Sequence, residues 1–355
     1  MKSSIKKLKN CKKVLEVTLP PQRVKDEFEK VYEGIKKVAS IPGYRTGKVP
    51  RDLLELHYHK TVEEEVIKNL IPESYKKIIE QYNLDPIGYP DISDVKMDFK
   101  EGFSYKASIE TRPEIALKNY KGLKIKRKLV EVKEEDIARN LESLREINAQ
   151  NVPKKDSDQK EKVLPMLDDE FAKDLGVESL EKLKVIIRQN LTARLEKESE
   201  ADLEVQIIDQ LVDSMNFELP ESLINAEKQR LLKDVHSRIS YIESFQKKES
   251  SDKKFSLSDK DKKELEENAE KQAYRQVRAF FILDKIAQAE KIYLEEGELE
   301  KRIEEIASHN KKSKDEVRKY LEKNHMLDEL TINMRNRKVM EFLLKEAKVE
   351  SQTKS

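Results

Sequence analysis

Residues 41–50 read Ile41-Pro42-Gly43-Tyr44-Arg45-Thr46-Gly47-Lys48-Val49-Pro50, and this decapeptide decides how the amino-terminal part of the chain folds. Helical patterns lie on both sides of it. Upstream, Val24, Phe28, Val31, Ile35 and Val38 recur at steps of 4, 3, 4 and 3, one apolar helix face that begins at Pro21. Downstream, Val62, Val66, Ile67, Leu70, Ile71, Tyr75, Ile78 and Ile79 predict a second helix from about Thr61 to Tyr82. Pro42 and Pro50 bracket the stretch, so neither helix runs through it. Gly43 and Gly47, two of only eight glycines in the chain, permit the backbone angles of a compact loop whose side chains point outward. Those side chains are one aromatic, Tyr44, and two cations, Arg45 and Lys48.

Working outward, Cys11, Leu15, Val17 and Leu19 alternate with more polar residues, a half-buried strand ended by Pro20-Pro21. Val95, Met97 and Phe99 alternate, Lys100-Glu101-Gly102 turns, and Phe103, Tyr105, Ala107 and Ile109 alternate again, a hairpin with its apolar face toward the helices. A strand, two helices and a hairpin predict an α+β domain over residues 1–111. Residues 112–132, opening with Arg112-Pro113-Glu114, read as an extended linker.

The rest, residues 133–355, reads as helical. Patterns run from Glu134 to Gln150, from the cap at Ser179 to about Met215, from Leu223 to Phe245, and from Ser258 to Ala289. Three shorter ones follow over Glu296–Ser308, Ser313–Asn324 and Leu327–Ala347. Residues 151–163 are a short polar loop, and Lys247–Ser258 is a second polar stretch rich in Ser and Lys. The expected fold is therefore α+β: a small amino-terminal α+β domain, a linker and a large all-α region.

Composition narrows the function. Charged residues make up 40% of the chain, with 71 basic against 70 acidic, which argues against nucleic-acid binding through bulk charge. The amino-terminal end differs. Residues 1–52 hold 14 Lys or Arg against 6 Asp or Glu, a net +8, and a basic end on a neutral chain suits docking on an RNA-rich surface. Cys11 is the one cysteine, which excludes a disulfide or cysteine-based zinc site; core packing is its expected role. His57 and His59 have no carboxylate cluster at ligand spacing, so no metal is expected. Asp168-Asp169-Glu170 stands at a helix start, where it suits the macrodipole better than acid–base catalysis. The first residues lack the apolar core of a secretory signal, and the longest apolar runs, such as Ala279–Leu283, are too short to span a bilayer. A cytoplasmic protein with no cofactor and no membrane partner is expected.

The loop itself admits a plain helix–helix connection, a phosphate-binding loop or an exposed tip for a large partner. The phosphate-binding loop fails. Three residues, not four, separate Gly43 from Gly47-Lys48, and Val49 stands where Ser or Thr is required, so no nucleotide is expected. A guanidinium beside an aromatic ring and a second cation suits RNA phosphate or acidic side chains.

Gly43-Tyr44-Arg45-x-Gly47-Lys48-x-Pro50 between two helices resembles the ribosome-docking signature of the trigger factor family of bacterial nascent-chain chaperones. Tyr44 replaces the family's usual Phe, and Thr46 stands where Lys is common. The resemblance extends to the order strand, two helices, hairpin, to the Pro-Glu segment after it, and to the Phe217-Glu218-Leu219-Pro220-Glu221 break, which in the family precedes an arm. It implies an ATP-independent chaperone with two arm-like helical projections. Gly43, Tyr44, Arg45, Thr46 and Lys48 would dock on a protein and rRNA of the large ribosomal subunit at the tunnel exit. The helical region would shield unfolded or nascent polypeptides, and a homodimer off the ribosome belongs to the same expectation. An adaptable apolar surface is expected at Met326, Leu330, Met334, Met340 and Phe342, since flexible Met side chains repack against varied partners; ordinary helix packing explains the same stripe. The family's FK506-binding-type prolyl isomerase should follow the helix at residues 134–150. Only the polar loop stands there, and Gly176 is the single glycine between Gly122 and Gly297, so no enzyme is expected. The competing reading is an off-ribosome holdase or assembly scaffold for folded or partly folded partners.

Overall fold

A computed structural model of the chain describes residues 1–153, 160–246 and 258–351. The chain divides into two compact units, Met1–Ala116 with Asn216–Phe281, and Leu117–Met215 with Ile282–Ser355. This differs from the sequence division after residues 111 and 132. The start of the linker falls with the amino-terminal segment, as does a helical segment from the middle of the chain, and most of the linker falls with the other unit.

In the first unit, strands β1 (Lys2–Lys7), β2 (Lys12–Leu19), β3 (Pro86–Asp98) and β4 (Gly102–Thr111) form an antiparallel sheet of order β1-β2-β4-β3. Leu15, Val17 and Leu19 on β2 and Phe103, Tyr105, Ala107 and Ile109 on β4 are all buried, the alternation expected of a sheet with one covered face. Helices α1 (Pro21–Lys36) and α2 (Arg51–Gln81) contribute Val24, Phe28, Val31, Val62, Val66, Leu70 and Ile78 to the same core. Pro21 takes the first turn of α1, where its missing N–H costs nothing. Pro72 lies inside α2, which continues past it.

Two departures from the sequence reading stand out. Edge strand β1 is not foreseen by alternation because five of its six residues are Lys or Ser around a lone Ile5, a composition that guards an edge against stray pairing. And α2 begins ten residues before the expected Thr61, directly after Pro50. Leu54 is buried and Leu53 and Tyr58 pack on the core, while the polar run His57-Tyr58-His59-Lys60 masks the helical period.

The other segment of this unit holds α6 (Glu221–Gln246) and most of α7 (Asp259–Ala289). Phe217, Leu219, Leu223 and Ile224 cluster with Val277, Phe280 and Phe281, and with Ile87 and Ile115 of the amino-terminal segment. The first turn of α6 leaves orphan N–H groups. Glu110 on β4 accepts from Ser222 N at 3.0 Å and from the Ser222 hydroxyl, and Lys12 pairs with Glu221 at 2.7 Å. Helix α6 is thus capped by a side chain remote in sequence.

In the second unit, β5 (Lys124–Arg127) pairs in parallel with β8 (Lys348–Ser351), Lys124 opposite Lys348. The linker is therefore not free chain. A polar stripe on α5 (Leu180–Ser214) holds β5 on its other side: Gln206 donates to Lys126 O at 2.9 Å and accepts from Lys126 N at 2.8 Å, and Gln210 donates to Lys124 O at 2.8 Å. Ser179 caps α5 by accepting from Lys182 N. Helices α3 (Glu134–Ile147), α4 (Asp169–Asp174) and α5 enclose Ile137, Leu141, Phe171, Leu183, Ile187 and Leu191. Where the sequence reading placed a polar loop at residues 151–163, β6 (Gln150–Pro153) and β7 (Lys160–Val163) form an antiparallel ribbon; residues 154–159 lie outside the described residues. The polar stretch Lys247–Ser258 likewise lies outside them up to residue 257. Helices α8 (Glu298–His309), α9 (Lys314–Lys323) and α10 (Leu327–Glu346) complete the unit. Ile303, Ala307, Val317 and Leu321 form a core between α8 and α9, with Leu327 and Leu330 of α10 packed against it.

Candidate docking loop and helical groove

The decapeptide lies in the connection between α1 and α2. Two turns shape it, closed by Tyr44 N donating to Ile41 O at 3.1 Å and by Lys48 N donating to Arg45 O at 3.0 Å. Gly43 and Gly47 take the third position of these turns with φ of 88° and 83°, which a side-chain-bearing residue adopts only at a cost. Ile41 and Val49, at 8% and 1% exposure, pin the two ends in the core, and Ala39 adds a third anchor before the loop. Between the pins, Pro42, Gly43, Tyr44, Arg45 and Thr46 are exposed, as is Lys48, and Tyr44 shows 46% of its surface. Among the described residues neither Arg45 nor Lys48 has an ion-pair partner. Two cations and an aromatic ring therefore stand outward on a loop whose ends are anchored.

Behind the loop the side chains are engaged with one another. The Arg51 guanidinium lies 3.5 Å from the Tyr32 ring centroid, with Glu29 at 3.0 Å and Glu55 at 2.7 Å. Tyr32 is buried, which pushes its phenol above the ordinary value; Glu55 adds to the rise and the Arg51 charge opposes it. Its hydroxyl lies 3.4 Å from His59 Nδ1, and Tyr58 donates to Ser40 O at 3.4 Å. His59 stands near the Phe28 ring, and His57 is not part of any cluster of three or more His, Cys, Asp or Glu fit to hold a metal among the described residues.

Sequence reasoning counts Arg51 only as one of many basic residues and passes over Tyr32. The signal available is the spacing of Arg51 and Glu55, four residues apart on one helix face. The pairing with Tyr32 joins two helices and leaves no trace in the local sequence.

The five apolar positions expected near the carboxyl end part company. Met326 and Leu330 line a groove of about 680 Å³ with Ile306, Val317, Tyr320 and Leu321, between α8, α9 and α10. Met334 is half-buried. Phe342 is half-buried under Lys121, whose ammonium lies 5.3 Å from the ring centroid, and Lys121 is itself paired with Glu290 at 2.7 Å. Met340 is buried at 8% exposure and belongs to the interior of α10, not to the groove. Met326, Leu330 and Met334 follow one another at steps of four, whereas Met340 and Phe342, two residues apart, point to different sides of the helix, and packing decides which of the five face a neighbour.

Cys11 is half-buried at the β1–β2 turn. Its thiol donates to Glu218 O at 3.2 Å, and its titration is pushed from 9.0 up to about 11, by burial first and then by Glu218 and Glu110. A thiol held protonated is no nucleophile. No helix among the described residues is long and apolar enough to cross a membrane.

Comparison with known proteins places this architecture. The family model described as bacterial trigger factor protein (TF) matches residues 1–144, and the one for its C-terminus matches residues 179–345. The trigger factor of Geotalea uraniireducens (strain Rf4) is 27% identical with 100% of both chains covered, and that of Geotalea daltonii is 26% identical with 98% of each covered. The trigger factor of Halothermothrix orenii is 27% identical over 95% of this chain and 97% of its own. A solved structure of the trigger factor chaperone shares the fold with a TM-score of 0.58 at 18% identity, covering 98% of this chain and 100% of the other. The two family models are met in chain order and together take in most of the sequence, so the chain belongs to the trigger factor family, chaperones of protein folding.

Proposed function

We propose that this chain is an ATP-independent chaperone of the cytoplasm that docks at the ribosomal tunnel exit and shields apolar segments of emerging polypeptides. The observation that carries the reading is the loop. Tyr44, Arg45 and Lys48 are exposed, the two cations have no ion-pair partner among the described residues, and Gly43 and Gly47 hold all three outward between buried anchors. A salt-sensitive contact with rRNA phosphate and acidic side chains of a large-subunit protein follows from that chemistry. Thr46 supplies no charge, so Arg45 and Lys48 bear the contact. Client segments enter through apolar surface such as the groove at Met326 and Leu330, where a thioether and aliphatic side chains accept varied shapes.

The same reading assigns no isomerase activity. Residues 145–178, between the two matched regions, form a span shorter than the roughly 40 residues a chain needs to build an unassisted core. In a proline-limited refolding assay, acceleration at catalytic concentrations of the chaperone would overturn that part.

The test of docking is co-sedimentation with ribosomes at low and moderate salt, with wild type and an Arg45→Ala/Lys48→Ala variant. Binding by the wild type that weakens with salt and is lost in the variant is expected. Equal binding by both removes the loop from the function. The second reading, an off-ribosome holdase for partly folded partners that associates with itself when free, is favoured by the groove, whose lining owes nothing to the loop. No ribosome binding by either protein, with aggregation suppression intact, selects it.

A further inference from the structure

We propose that Arg51 is a positioning residue for the loop and not one of its docking cations; the inference rests on the docking reading above. By charge alone Arg51 belongs with Arg45 and Lys48, three residues beyond the latter. Its surroundings differ. Glu29 and Glu55 match its charge at 3.0 and 2.7 Å, and the buried Tyr32 ring already occupies one face of the guanidinium at 3.5 Å. A cation so engaged gains less from a phosphate, because its Nε–H and one Nη2–H are already given to Glu55 and Glu29 and these two carboxylates offset its charge.

Its place in the chain gives it another task. Arg51 is the first residue of α2, next to Pro50, while Tyr32 and Glu29 lie in the second half of α1. The contact therefore straps the two helices together at the mouth of the loop. Tyr58 adds a weaker strap, from α2 to Ser40 O at 3.4 Å. With both in place the separation of the loop ends is set, and the two glycine turns have one shape to adopt. Binding then meets a loop already ordered, which is worth affinity because little conformational freedom is lost on contact. The fork geometry matters: Arg reaches the ring, Glu29 and Glu55 at once, whereas Lys offers a single point of charge.

Ribosome affinity measured across a range of salt separates a strap from a contact. Arg45→Ala/Lys48→Ala should lower the slope of log affinity against log salt by about one to two, since two phosphate-facing charges are gone. Arg51→Ala should weaken binding about tenfold with the slope unchanged, as expected when ordering is lost and contacts are kept. Tyr32→Phe, which keeps the ring, should bind as wild type, and Arg51→Lys should fall between wild type and Arg51→Ala. In the free protein, Arg51→Ala should speed amide exchange at Tyr44 and Lys48, whose N–H groups close the two turns. A lowered salt slope in Arg51→Ala would make Arg51 a direct contact and overturn the proposal. So would unchanged affinity and exchange in that variant while Arg45→Ala/Lys48→Ala loses binding. Failure of the wild type to bind ribosomes overturns the docking reading and this inference together, which is a different result.

Discussion

Arg45 and Arg51 carry the same charge a short distance apart in the chain, yet one stands free in solvent and the other lies between a ring and two carboxylates. The glycines divide in the same way. A methyl added at Gly47 would meet nothing within 4 Å, and with φ at 83° Gly47→Ala faces only backbone strain, about 1 kcal/mol or slightly more. Gly102, φ 102°, turns into β4 beside Leu19, and a methyl there would lie 2.1 Å from Leu19 O. Gly102→Ala should cost about 3 kcal/mol or more, because strand β2 must move as well; urea unfolding of the two variants checks the contrast. Cys11 offers a further residue-scale prediction. A rise from 9.0 to about 11 leaves about a hundredfold less thiolate at pH 8, and because a thiolate of higher pKa is the better nucleophile, exchange with an aromatic disulfide should be about tenfold slower than for a free thiol. Because the folded thiol titrates higher than the unfolded one, its contribution to stability is whole below pH 9.0 and is lost as pH climbs through about 11. Glu110→Gln, which weakens the cap on α6 beside Cys11, should speed that exchange; equal rates would show that the cap does not hold the turn closed.

At the scale of elements, side chains finish what backbones leave open. Strand β5 has β8 on one side and, on the other, helix α5, which presents Gln206 and Gln210 as a substitute strand. Gln206→Ala leaves Lys126 N and O to water and should cost about 1 kcal/mol, with faster amide exchange confined to Lys126 and its neighbours. Loss of protection spread across α5 would mean that the glutamine holds the helix and not the strand. Helix α9 solves its own end problem locally: Ser313 accepts from Glu316 N while Glu316 accepts from Ser313 N, a reciprocal cap written in four residues. Helix α6, whose cap comes from Glu110, shows the remote solution.

For the molecule as a whole, the proposed docking loop and the groove fall in different compact units, the loop in Met1–Ala116 with Asn216–Phe281 and the groove in Ile282–Ser355. Their activities should therefore separate. Arg45→Ala/Lys48→Ala is expected to suppress aggregation of an unfolded client as well as wild type does, within a factor of about two, because no groove residue is altered. Met326→Glu/Leu330→Glu should impair suppression while leaving ribosome binding in place, since charge placed in an apolar groove must be desolvated when an apolar segment enters. Both activities lost together in either variant would show that one surface serves for both.

Much of this was legible in the amino acids alone, wherever a rule acts over a few residues. Helical spacing marked α1 and α5, alternation marked β2 and β4, Ser179 announced its helix, and the decapeptide announced the loop with its outward side chains. Those signals persist because each depends on the period of a regular backbone or on a cap within one turn. What needed the tertiary structure depends on residues far apart in the chain. The early start of α2 rests on Leu54 reaching a core built by other elements, β5 became a strand only because residues 348–351 pair with it, and Met340 is interior because α10 is covered. The two arginines are the clearest case: charge was readable at both positions, but whether a charge is spent on a neighbour or left for a partner is decided by which side chains the fold brings within about 4 Å of it.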